Sequence, residues 1–180
     1  MSSVARSRCF GGTKLAVAAL LTVVALSFAT VAHAAAIRIV ALGASNTNGK
    51  GVGAGQAWPA VLERMLRAKG YDATVTVVAV NGLTSSGILG SVDSAVAPGT
   101  QVVIFDLGRH NDLKRNVAAG ETGANRAQIA ARIRAHGAHP IVAPYGGAPR
   151  SDGHHLSAEG HAQVAARLVP MVIAAAGSRR

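Results

Sequence analysis

The sequence predicts an α/β fold in which a parallel sheet of about four strands is covered on both faces by helices. Three features lead there. Four short apolar runs recur along the chain, and each is separated from the next by a segment with helical periodicity. The runs are largely apolar where they would be buried, and Gly, Pro and Ser punctuate their ends. Capping residues stand where the intervening helices should start and stop.

Taken in order, Ile37-Arg38-Ile39-Val40-Ala41-Leu42 is a buried strand that ends at Gly43. Residues 58–69 (WPAVLERMLRAK) place Val61, Leu62, Met65 and Leu66 on one helical face with charges between. That helix stops at Gly70, after the last-turn cations Arg67 and Lys69. A Val-rich strand follows at 73–80, then a small-residue helix at 84–97 and a Pro98-Gly99 turn. The third strand is 101–107 (QVVIFDL), the third helix 124–136, and the fourth strand 140–143. The last helix is expected over 157–175 with Ser157 as N-cap, and Pro170 inside it should kink or shorten it. Right-handed crossovers bring the strand-to-helix loops 43–56, 81–86, 108–123 and 145–156 to one edge of the sheet.

The chain has 180 residues and one cysteine, Cys9, so neither a disulfide framework nor a structural zinc module is expected. Arg6, Arg8 and Lys14 precede an apolar stretch, 15–32, in which only Thr22, Ser27 and Thr30 are polar. Ala32-His33-Ala34 then offers a small-x-small cleavage site, with a second register at 34–36. Residues 1–34 thus read as a signal peptide and 35–180 as one exported domain, in the periplasm or outside the cell; an uncleaved anchor is the other reading. The mature chain keeps 15 of the 18 Lys and Arg and all 8 acidic residues, a formal charge of +7. Its cations are scattered and only Trp58, Tyr71, Phe105 and Tyr145 offer stacking faces, so nucleic acid is not an expected partner, nor is stable membrane insertion after cleavage.

The four loops carry one set of chemical parts. Gly43-Ala44-Ser45-Asn46-Thr47 puts the Ser45 hydroxyl and N–H directly after a strand, where a nucleophile would sit. Gly82 allows the backbone to approach a ligand closely, and the Asn111 amide is a further donor. In Asp152-Gly153-His154-His155 a carboxylate stands three residues before an imidazole whose Nδ1–H it can accept. His154 is the rival base, but His155 fits the Asp-x-x-His offset. Nucleophile, base, orienting carboxylate and convergent N–H donors are what acyl transfer needs. A phosphate loop at 43–50 fails on spacing, because five residues separate Gly43 from Gly49 where four are required. Asp152, His154, His155 and His161 could be read as a metal cluster, yet His161 belongs to the last helix and no second acidic ligand is near. No cofactor or metal is expected.

These blocks resemble the SGNH hydrolases, also called the GDSL lipase and esterase family, and among them small bacterial arylesterases and lysophospholipase-like thioesterases. The matching stretches are ALGASNT (41–47), GQAWPAVLERMLRAKGYD (55–72), NGLTSSG (81–87), DLGRHNDLKR (106–115) and DGHHLSAEGHAQVAARL (152–168). The resemblance implies a three-layer α/β/α sandwich with a flavodoxin-like parallel sheet, and an exported serine esterase acting on small acyl or aryl esters. It implies Ser45 as nucleophile, Asp152 and His155 as the orienting pair, and the Ser45 N–H, Gly82 and Asn111 as oxyanion donors.

The sequence departs from the family pattern at four places. Ala44 stands where Asp is usual, with Asn46 in place of a usual apolar residue, and Leu83 stands where the second block carries Asp. Arg109 and His110 separate Gly108 from Asn111, where one residue is usual. Only 145–151 precede Asp152, where the family places a fifth strand and further helix; that strand is therefore expected to be missing or shortened, leaving a sheet edge that invites a homodimer. A non-catalytic envelope protein that binds a glycan or an acylated ligand is the alternative reading of the same departures.

Overall fold

The computed structural model describes residues 36–178, so the signal-peptide reading of 1–34 lies outside the described residues. Four strands form one parallel sheet in the order β2-β1-β3-β4: β1 (Ile37–Gly43), β2 (Ala73–Ala79), β3 (Val102–Phe105) and β4 (His139–Val142). The helices are α1 (Ser45–Asn48), α2 (Trp58–Ala68), α3 (Ser85–Ala95), α4 (Arg109–Lys114), α5 (Ala119–Ala135) and α6 (Ala158–Gly177), with a 3-10 turn at Ala54–Gln56.

The two-residue period of the strands divides the core into two layers. Ile37, Ile39 and Ala41 of β1 and Val102 and Ile104 of β3 face α2 and α6, where they meet Trp58, Leu62, Leu66, Val164 and Leu168. The alternate residues Val40, Leu42, Val103 and Phe105 face α3 and α5, meeting Ile88, Val92, Ile129 and Ile133. Each such fully buried aliphatic side chain contributes about 2 kcal/mol, so the α/β/α sandwich holds without a disulfide. Trp58 and Phe105 are core residues, and neither offers a stacking face to a ligand.

Four elements differ from the sequence expectation. Two short helices, α1 and α4, lie inside stretches read as loops, and α5 starts at Ala119 rather than near 124. Glu121 in its first turn and Thr122, whose hydroxyl donates to the buried Asp112 at 2.7 Å, account for the early start. Pro170 does not end α6, which runs on to Gly177. Its ring removes one helical hydrogen bond, but Val169, Val172 and Ala175 around it are buried in the core, and that packing outweighs the loss.

No fifth strand follows β4 among the described residues; 143–157 instead turns back through one antiparallel bridge, Arg150 to Leu156. Along the β3–β4 ladder His139 donates to the carbonyl of Gln101, just before β3, and Ala143 to that of Phe105. The alternation of a parallel ladder leaves Pro140 and Val142 facing outward, and Pro140 has no N–H to offer a second copy. Among the described residues no helix is long and apolar enough to cross a membrane.

Candidate active site

All four strand-to-helix loops meet at the carboxyl edge of the sheet. Ser45 is the first residue of α1, directly beyond β1, and the N–H at that position has no acceptor within the helix. A buried polar chain pins α1 down: Trp58 Nε1–H donates to the Tyr145 hydroxyl at 3.1 Å, and that hydroxyl is hydrogen-bonded to Thr47 Oγ1 at 2.9 Å. Burial, and after it the nearby Asp106 carboxyl, pushes the Tyr145 phenol well above its ordinary pKa, so it remains protonated. Asp106, at the end of β3, accepts the Gly108 N–H at 2.9 Å and also those of Ala44 and Leu107, tying the first loop to the third loop. Burial raises its pKa, and the three N–H donors oppose that rise.

The second and third loops are locked together. Gly108 has φ +62, and a Cβ there would stand 2.8 Å from Ser85 N and from Thr84 C, so only glycine fits. Asp112 is buried, with Oδ1 accepting the Ser85 N–H at 2.8 Å. Asn111 Nδ2 donates to Leu83 O at 2.8 Å, which engages one of its two amide hydrogens. Asn81 Oδ1 accepts from Asn48 Nδ2 at 3.1 Å, linking the turn that holds Gly82 (φ +84) to α1.

In the fourth loop Asp152 Oδ2 lies 2.6 Å from His155 Nδ1, while Oδ1 accepts the N–H of His155 at 2.7 Å and of His154 at 2.9 Å. The His155 backbone N–H, then its ring, then the His154 N–H hold the Asp152 carboxyl well below the usual carboxylate range. An ionised carboxylate at Nδ1 selects the Nδ1–H tautomer and leaves Nε2 bare. The ring is 17% exposed and the carboxylate 52%, so the imidazole is shielded while its partner stays in water. Asn46 Oδ1 accepts the Leu156 N–H at 2.9 Å and so ties the first loop to the fourth loop.

Ser45, Asn111 and His155 line one cavity of about 480 Å³, with Asp106, Tyr145 and His154 also in its wall. Asp152 stands behind His155, and Gly82 is not among the lining residues. Among the described residues no hydrogen bond joins the Ser45 hydroxyl to the His155 ring. His154 is not paired with Asp152 through its ring; that ring lies 4.2 Å, centroid to centroid, from His110. His161, the fourth member of the metal reading, is buried in the core with Nδ1 accepting the Trp58 N–H at 3.1 Å, away from this cavity.

Sequence reasoning missed the contributions of Asn46, Asp106 and Tyr145. The position of Asp106 at the end of a predicted strand was a usable signal, since strand ends point into the site. Asn46 stands out in the sequence only as a departure from the family pattern, and nothing there ties it or Tyr145 to their partners, which lie 110 and 98 residues away.

A model of the GDSL-like Lipase/Acylhydrolase family matches residues 41–178. Among characterised relatives, Esterase TesA of Pseudomonas aeruginosa is 32% identical over 111 residues, covering 61% of this chain and 55% of the relative. The chain's match thus spans about half the length of that relative. Among solved structures, TesA superposes with a TM-score of 0.67 at 21% identity, covering 77% of this chain and 99% of that one. A carbohydrate acetylesterase family member from Sinorhizobium meliloti gives 0.57 at 17%, covering 78% and 99%. AlinE4, an SGNH-hydrolase family esterase, gives 0.56 at 22%, covering 77% and 73%. At these identities the structural likeness is one of fold.

Proposed function

The chain belongs to the GDSL-like Lipase/Acylhydrolase family, and from that premise we propose that it is a serine esterase hydrolysing small carboxylic esters. The observation that carries the reading is the 2.6 Å contact between Asp152 Oδ2 and His155 Nδ1, with His155 in the same cavity wall as Ser45. In this reading Ser45 Oγ attacks the ester carbonyl while His155 Nε2 takes its proton, and Asp152 stabilises the imidazolium. The Ser45 N–H and the free Asn111 amide hydrogen hold the oxyanion; Gly82, the third donor that the family resemblance implies, does not line the cavity. His155 returns the proton to the leaving alcohol, and water then releases the acid from Ser45 by the same route in reverse. The apolar leader at 15–32 supports export as the setting.

Intact mass after exposure to a fluorophosphonate, beside hydrolysis of p-nitrophenyl butyrate, tests this. The expected result is one adduct that Ser45→Ala abolishes, together with a loss of turnover of at least about 10³-fold. The missing Ser45–His155 hydrogen bond favours a second reading, a binding protein for an acylated ligand or glycan, although such bonds are commonly long in unliganded sites. Folded protein with neither adduct nor turnover would establish that alternative over the esterase.

A further inference from the structure

The cavity around Ser45 is also lined by two guanidinium groups. Arg109 and Arg150 line it together with His110, His154 and His155. Two carboxyls stand nearby, and Arg150 acts on one of them, Asp106, through its charge without a direct contact. Asp106 is turned onto the backbone N–H groups of Ala44, Leu107 and Gly108, and Asp152 onto those of His154 and His155 and the His155 ring. Among the described residues neither arginine pairs with a carboxylate; Arg150 donates to the His154 carbonyl, and Arg109 projects from the exposed start of α4. His110, its ring against that of His154, has its pKa lowered, first by burial and then by neighbouring groups that include Lys114 and Arg150.

Guanidinium groups left without a protein anion beside a reactive centre are matched to a planar or tetrahedral oxyanion that takes two N–H bonds at once. Resting on the esterase reading, we propose that the ester taken by this site carries a carboxylate or phosphate group, held by Arg109 and Arg150 beside the scissile carbonyl. A neutral ester would leave the two guanidinium groups without an anionic partner in the cavity, whereas an anionic one supplies it. The charge can stand on the acyl side or on the alcohol side of the ester, and the same two side chains would read either.

Two matched pairs of esters distinguish these cases. Mono-p-nitrophenyl adipate against its methyl ester places the charge on the acyl side; 4-acetoxybenzoate against methyl 4-acetoxybenzoate places it on the alcohol side. After correction for spontaneous hydrolysis, kcat/KM should favour the anionic member of at least one pair by about tenfold or more, a difference of about 1.4 kcal/mol. The ratio should shrink between about 0.02 M and about 0.5 M NaCl, and in Arg109→Gln and Arg150→Gln. Equal rates within both pairs, or faster turnover of the neutral members, would overturn the proposal while leaving the esterase reading intact. If no ester is turned over, the esterase reading fails. Calorimetry of the same pairs with the wild-type protein then decides the charge question, tighter binding of an anionic member supporting it and equal binding overturning it.

Discussion

Replacing His161 by Asn removes a titrating group from the core while keeping an acceptor for the Trp58 N–H, and the consequence for stability can be worked out from the geometry. His161 is fully buried, its Nδ1 accepts that N–H at 3.1 Å, and Nε2 has no partner. Protonating Nδ1 would break the bond and place a charge in an apolar layer beneath α2. Burial accordingly lowers its pKa from 6.5 to about 4. The folded chain therefore binds the proton less readily than the unfolded chain between those two values. Stability is fully present above pH 6.5, falls as the pH drops through the window, and is reduced by its full amount below about 4. At 1.36 kcal/mol per pKa unit the loss is about 3 kcal/mol, or roughly 10 °C in Tm for a domain of this size. Thermal unfolding followed by circular dichroism from pH 7 to pH 4 reads it. His161→Asn should start from a lower Tm, because the smaller side chain leaves a void, and then fall by about 3 kcal/mol less than the wild type over the window. Other carboxylates titrate in both proteins and cancel in the difference. Parallel curves would refute the assignment of the acid sensitivity to His161.

Two substitutions probe the frame of the candidate site. A Cβ at Gly160 would collide with the Pro149 carbonyl oxygen and come within 3.3 Å of Leu156 Cδ2, at the two ends of the segment that carries Asp152 and His155. Gly160→Ala should cost about 2 kcal/mol or more and depress ester turnover, as urea unfolding and initial rates would show; Gly123→Ala, on the open face of α5, should instead stabilise by about 0.5–1 kcal/mol. Asp152→Asn removes the charge that orients and supports the His155 ring, so kcat should fall by about 10²- to 10⁴-fold while Tm barely moves, the carboxylate being 52% exposed; unchanged kcat would remove Asp152 from the proposed triad.

What the residues dictate locally was legible in the sequence. The apolar runs of β1 and β3, the amphipathic face of α2 at Val61, Leu62 and Leu66, and the Ser157 cap of α6 all rest on short-range periodicity and capping. So does the Asp152–His155 contact, since an i, i+3 pair on a tight turn is close in space whatever surrounds it. The short helices α1 and α4 were not legible, because four to six residues carry too little periodicity to distinguish a helix from a loop. Pro170 pointed to a kinked or shortened α6; the helix is not shortened, because burial of the neighbours of Pro170 prevailed over the local preference.

Only the tertiary structure decided how the loops meet. Asn46 reaching Leu156, Tyr145 bridging Trp58 and Thr47, and Asp106 taking the Ala44 N–H each join residues far apart in the chain. Their choice of partner follows from burial, which obliges every enclosed polar group to find the donor or acceptor that packing happens to bring near. The gathering of Arg109 and Arg150 around one cavity has the same origin. Composition records their number, but only the sheet, by drawing loops from separate crossovers to one edge, makes them neighbours of Ser45.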